Sequence, residues 1–276
     1  MEKLTDLTQL NLEKTEQKPR VIAIANQKGG VGKTTTTINL ATAMAAVKKR
    51  VLIFDLDPQG NASTGLGIQR QNRRVNAYHI LIGEAPIREA IIPTLIPGLD
   101  IIPAGVDLSG AEIEMVDLPR REFRLRDALA SGDLSHYDYV LIDCPPSLGL
   151  LTLNGLVGTH AVMVPLQCEF FALEGISHLV RTIERVKKAL NPELEIQGIV
   201  LTMFDKRNNL SDMVASDVRG HFGDIVYKTV IPRNVRVSEA PSHGKPVIVY
   251  DMKCPGSEAY LHLAGEVLRR ERDLAA

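Results

Sequence analysis

The chain has 276 residues, 45% hydrophobic and 24% charged, enough to bury one sizeable core in one large α/β domain as readily as in two small ones. A formal net charge of −1 carries no global basic signature, so any nucleic-acid binding must come from a local patch. No apolar run is long enough to cross a bilayer, and the polar start "MEKLTDLTQLNLEKTEQKPR" has no signal core, so the expectation is a cytoplasmic protein without a membrane partner.

Residues 1–19 are polar and charged, with Leu4, Leu7 and Leu10 hinting at a short amphipathic turn; they read as a flexible arm ahead of one domain over 20–276. From there short β-branched runs alternate with helical stretches. Strands are expected at 21–26, 51–55, 99–104, 139–144, 160–166, 195–204 and 225–232, and helices near 34–48, 107–117, 120–131, 171–190, 210–222 and 256–272. That alternation predicts a mostly parallel twisted sheet covered by helices on both faces. Proline and glycine punctuate the joins, and no low-complexity linker divides the chain. Cys144, Cys168 and Cys254 are odd in number and lack C-x-x-C spacing, which argues for buried thiols over disulfides or zinc.

Strand "VIAIAN" runs into "QKGGVGKTT" and then a helix, so a glycine-rich turn lies between a strand end and a helix N-terminus. Gly29, Gly30 and Gly32, with Val31 between them, let backbone N–H groups face phosphate oxygens, helped by the helix dipole. Lys33 supplies a point charge at the β- and γ-phosphates, the Thr34 hydroxyl suits magnesium, and Thr35 reaches toward the α-phosphate. The pattern G-x-x-x-x-G-K-[ST] fails only at its first position, which is Gln27, and the loop carries an extra lysine, Lys28. Two strand ends offer the carboxylates a nucleotide site needs. Asp143 suits magnesium, through water, while Asp57 suits orienting the attacking water near the metal, with Asp55 in a supporting role there.

"KGGVGKTT", "DLDPQGNAS", "LIDCPPS" and "TVIPRNVRVSEAPSHGK" together resemble the deviant Walker A ATPases of the ParA/Soj partitioning branch, from about residue 20 to about residue 270. The resemblance implies a P-loop fold that hydrolyses ATP with Mg2+ and forms a homodimer sandwiching two nucleotides. Lys28 then crosses to the partner's nucleotide, so Lys28, Lys33 and Asp57 are its catalytic set and Thr34, Asp57 and Asp143 its metal set. It makes "DPQGN" and "PPSLGLLTLNGL" the two switch loops, puts Pro232 on adenine and Asn234 at its edge, and assigns Arg207 and Arg236 to non-specific double-stranded DNA, with Lys206 and Lys245 as possible extensions. It also implies a nucleoid-associated protein with a ParB/Spo0J-type centromere-binding partner.

MinD-like positioning ATPases share the loop but end in an amphipathic membrane helix; here Tyr260, Ala264, Val267 and Leu268 form a modest face suited to packing on the core. Nitrogenase-type iron proteins need cluster-binding cysteine motifs absent here. An ATP-dependent amidoligase needs a separate substrate pocket for which the sequence shows no motif.

Overall fold

Each expected strand forms with its ends shifted by two residues at most. In the computed structural model, which describes residues 18–275, they are β1 (Arg20–Ile24), β2 (Val51–Asp55), β4 (Leu99–Ile102), β5 (Tyr139–Asp143), β6 (Ala161–Gln167), β7 (Glu195–Phe204) and β8 (Val226–Pro232), joined by an unforeseen β3 (Ile92–Pro93). The arm expected over residues 1–19 falls almost entirely outside the described residues. The eight strands form one sheet in the order β3-β4-β2-β5-β1-β6-β7-β8, in which only the β3–β4 pairing is antiparallel.

Strand alternation sorts the core into two layers. Val21 and Ala23 of β1, with Leu52 and Phe54 of β2, face helices Ala77–Ile82, Leu108–Glu114, Leu150–Val157, Ala172–Ala189 and Asn209–Phe222. Ile22, Ile24, Val51 and Ile53 face the opposite layer, where helices Lys33–Ala46 and Pro255–Ala275 lie. Because both faces are covered, β2 and β5 are buried at every residue and carry no polar alternation. Tyr260, Ala264 and Val267 of the last helix are buried in that second layer. All three cysteines are free and buried. Among the described residues, no helix is long and apolar enough to cross a membrane.

The helices not foreseen are short: Asn61–Gly65, Ala77–Ile82, Ile87–Ala90, Leu150–Val157, Val235–Glu239 and Val247–Tyr250. None spans enough turns to show a helical period. Leu150–Val157 occupies most of the segment expected as a second switch loop, so only residues 145–149 of it are irregular.

Candidate nucleotide-binding site

Strands β1, β5 and β2 end level with one another: Ile24 pairs with Asp143, and Asp143 pairs with Asp55. The loop leaving β1 and the acids ending the other two strands therefore start from one line at the carboxyl edge of the sheet. Open α/β sheets collect ligands at that edge.

Asn26 shapes the start of the loop. Its amide nitrogen donates to the Pro165 carbonyl at 2.7 Å, and its side-chain oxygen accepts from Lys28 N at 3.0 Å. Gly30 and Gly32 take φ of 76° and 90°, left-handed values unfavourable for any residue bearing a β-carbon. A β-carbon built on Gly29 or Gly30 would meet no atom of the described residues within 4 Å, so among them the loop faces open space. Helix Lys33–Ala46 then begins at Gly32 with no side-chain cap and no acid in its first turn. Its leading N–H groups and positive dipole end suit an anion. From the other side Thr202 of β7 donates its hydroxyl to the buried Val31 carbonyl at 2.8 Å, joining the loop to a neighbouring strand.

Lys33 is buried, and its Nζ donates to the Lys28 carbonyl at 3.0 Å, folding the side chain back across the loop it closes. Burial lowers its pKa, while the negative charges of Asp143 and Asp57 act in the opposite direction. Thr34 and Thr35 line a cavity of about 270 Å³ together with Asn39, Asn61 and Lys245.

Asp143 is fully buried. Its Oδ1 accepts from the Thr37 hydroxyl at 3.1 Å, and among the described residues its Oδ2 has no partner within hydrogen-bonding geometry. Burial raises its pKa well above the ordinary carboxylate range and the charge of Asp55 adds to the effect, against the hydroxyls of Thr34 and Thr37. A buried carboxylate oxygen without a donor, beside a threonine hydroxyl, fits a divalent cation. Among the described residues there is no group of three His, Cys, Asp or Glu side chains able to hold a metal unaided. A divalent cation there would need water or ligand oxygens to complete its shell.

Asp57 is buried and accepts from Gln59 N at 3.0 Å, while Gly60 N closes the turn onto the Asp57 carbonyl at 2.8 Å. The Asp55 Oδ2 accepts from Ser63 N at 2.8 Å and Ser63 Oγ at 2.6 Å, so this carboxylate, next to Asp143, also anchors helix Asn61–Gly65. Burial pushes its pKa up to about 6, with the two Ser63 hydrogen bonds opposing.

Lys28 leaves the loop exposed, yet it pairs within the chain with Glu169, beyond the end of β6 and next to the exposed Phe170 and Phe171. That pairing partner lies 141 positions away in the chain.

Pro232, Asn234, Lys206 and Arg207 line one groove of about 1340 Å³ between β8, the end of β7 and helix Pro255–Ala275. The Asn234 side-chain oxygen accepts from Arg236 N at 2.9 Å to cap helix Val235–Glu239, which leaves its amide nitrogen as the group not used in the cap. Arg207 is 85% exposed and pairs with Asp205 at 2.9 Å, and hydrogen bonds from Arg207 hold Asp205 down to about 2. Arg236 pairs with Glu239 at 2.9 Å and Asp251 at 3.5 Å. Both arginines follow the carboxyl ends of the last two strands, whereas Lys245 lies apart, in the cavity beside Thr35.

Sequence reading missed Asn26, Thr37, Ser63, Glu169 and Thr202. Thr37 carried a faint signal, standing four residues after Lys33 on one helix face.

A family model described as "AAA domain" matches residues 19–196. The chain is 66% identical over 261 residues to the chromosome partitioning protein ParA of Caulobacter vibrioides, covering 93% of this chain and 97% of that one. It is 54% identical over 248 residues to the sporulation initiation inhibitor protein Soj of Bacillus subtilis, covering 90% and 98%. Among solved structures, that of cobyrinic acid a,c-diamide synthase from Mycobacterium smegmatis with bound ATP analog and magnesium is 39% identical, with a TM-score of 0.80 over 92% of this chain and 96% of that one. The septum site-determining protein MinD of Pyrococcus horikoshii, complexed with Mg-ADP, is 28% identical, with a TM-score of 0.75 over 90% and 96%. Taken with the glycine loop and its two lysines, these likenesses establish that the chain belongs to the ParA/Soj family of partitioning ATPases.

Proposed function

We propose that the chain is a Mg-ATP-dependent partitioning ATPase. In this reading it closes as a homodimer over two nucleotides, sits on nucleoid DNA without sequence preference, and leaves when a ParB/Spo0J-type partner stimulates hydrolysis. The observation that carries the reading is the alignment at one sheet edge of an uncapped helix start, Lys33, and Asp143 with an oxygen that no group among the described residues satisfies. The Mg-nucleotides held by two structural relatives support it.

The residues divide the work. Backbone N–H groups of Gly29 to Gly32 would cradle the phosphates, and Lys33 would move from the Lys28 carbonyl to the β- and γ-phosphates. Thr34 and Asp143 would hold magnesium with Asp57 nearby; bound there, the ion supplies charge neutralisation across the phosphates. Asp57 would orient or polarise the attacking water, and the partner's copy of Lys28 would offset charge developing on the transferred group. Pro232 and Asn234 would receive the base. Arg207 and Arg236 would contact DNA phosphates, and duplication in the dimer would compensate for a small patch.

The test is ATPase activity with DNA, with the candidate partner, and with both. Strong synergy supports partitioning, and Arg207→Glu should abolish DNA stimulation while leaving dimerisation intact. A second reading, ATP-driven amide synthesis, draws on the 39% likeness to cobyrinic acid a,c-diamide synthase. A rate indifferent to DNA and partner, with amidation of that acid, would favour it. ATP-dependent pelleting with liposomes would favour a MinD-like role.

A further inference from the structure

The segment after Asp57 is held by a residue to which no motif points. Arg73 is only 9% exposed, and its guanidinium makes five hydrogen bonds, all to neutral oxygens. Nη1 donates to the Gly60 carbonyl at 3.4 Å and the Ala104 carbonyl at 3.2 Å. Nη2 donates to Thr64 Oγ1 at 2.9 Å and the Ile68 carbonyl at 2.7 Å, and Nε reaches the same carbonyl at 3.2 Å. One planar fork thus grips the front, middle and back of residues 60–68 and ties them to the loop after β4.

Gly60 is shaped for this grip. It has φ +62°, and a β-carbon there would fall 2.5 Å from Arg73 Nη1. Its N–H closes the turn onto the Asp57 carbonyl while its own carbonyl receives Arg73, so Arg73 stands one peptide turn behind the carboxylate. On the opposite flank Asp55 takes Ser63 N and Oγ, and Ser63 Oγ in turn accepts from Ala104 N at 3.1 Å. Two buried charges of opposite sign therefore brace one short segment, each through neutral groups of that segment. Burying a cation against carbonyls is a poor route to stability alone, because an apolar side chain avoids the desolvation cost. A rigid fork is a good route to a fixed geometry.

We propose that Arg73 is a positioning residue for hydrolysis: through Gly60 it sets the Asp57–Gly60 turn and aims Asp57 at the γ-phosphate without touching the nucleotide. The proposal rests on the reading of Asp57 given above. Lysine at this position keeps the charge but cannot span four acceptors, and methionine fills the space without donors.

The test compares wild type, Asp57→Ala, Arg73→Lys and Arg73→Met in steady-state ATPase assays with magnesium, DNA and partner, alongside ATP binding and thermal melting. The expected result is a kcat lowered by about 10- to 100-fold in Arg73→Lys, as for a misplacement on the order of 1 Å, with KM and Kd for ATP within about twofold of wild type. Arg73→Met should lose at least as much, and both variants should still form the ATP-dependent dimer. A wild-type kcat in Arg73→Lys beside an inactive Asp57→Ala overturns this proposal alone. Loss of ATP affinity in step with kcat and melting temperature also overturns it, since that pattern marks a merely structural residue. Full activity in Asp57→Ala overturns the reading beneath it, and the proposal with it.

Discussion

Asp143 shows how one side chain can be costly to the fold and suited to the proposed site. Its Oδ2 is buried without a donor among the described residues, so burial disfavours the ionised carboxylate, and a cation bound there would relieve that cost. Asp143→Asn should therefore relieve the cost of the buried carboxylate in the nucleotide-free protein and should abolish most of the magnesium-dependent rise in melting temperature with ATP. Thermal melting with and without Mg-ATP measures both effects. Lys33 makes the converse case: its ammonium already sits over the loop, so Lys33→Gln removes the charge with little change of shape. ATP affinity should fall roughly 100-fold, the equivalent of a lost charge-assisted bond and its unpaired partner, and tight ATP binding by that variant would refute the loop assignment.

At the scale of elements, the beginning of β1 depends on a histidine. His160 Nδ1 accepts from Val21 N at 2.9 Å, while burial and then the charge of Arg20 hold its pKa below the ordinary 6.5. The unfolded chain therefore binds the proton more readily, so this contribution is present above about pH 6.5 and is lost as pH falls toward the depressed folded value. His160→Asn keeps an acceptor for Val21 N and removes the titration. Denaturant unfolding should show this variant losing less stability than wild type between about pH 7.5 and about pH 5.5. Elements also show what could be read in advance. The buried strands were legible because a sheet covered on both faces needs continuous apolar runs, and β2 and β5 are such runs. Helices of one or two turns, such as Asn61–Gly65, show no period, so they passed as loop. Within the site, Lys33, the glycines and Asp143 stood out through their neighbours in sequence. Thr37, Ser63, Glu169, Arg73 and Thr202 did not, because their partners are distant or their bonds run to backbone atoms common to every residue.

For the whole molecule, Lys28 carries the argument for association. In the single chain it is neutralised by Glu169, through an exposed pair of the kind that contributes little. A partner's phosphate in a water-excluded interface offers that ammonium far more. Lys28→Ala should bind ATP with near wild-type affinity as a monomer, yet neither dimerise nor hydrolyse it; analytical ultracentrifugation and phosphate release check the two halves. A variant of normal activity would return Lys28 to an ordinary surface role.

In the proposed DNA-binding state, strand β7 would join the nucleotide loop to the DNA-contacting arginine. Its Thr202 grips the Val31 carbonyl inside the glycine loop, and five residues further on the same strand has delivered the chain to Arg207. Whatever free energy this strand passes from one end to the other is subject to reciprocity: a nucleotide that tightens the hold on DNA by some factor must itself be held tighter by DNA, by the same factor. ATP affinity measured with and without DNA reads that factor from one end, and Thr202→Val, which cuts the line between them, should bring it close to one.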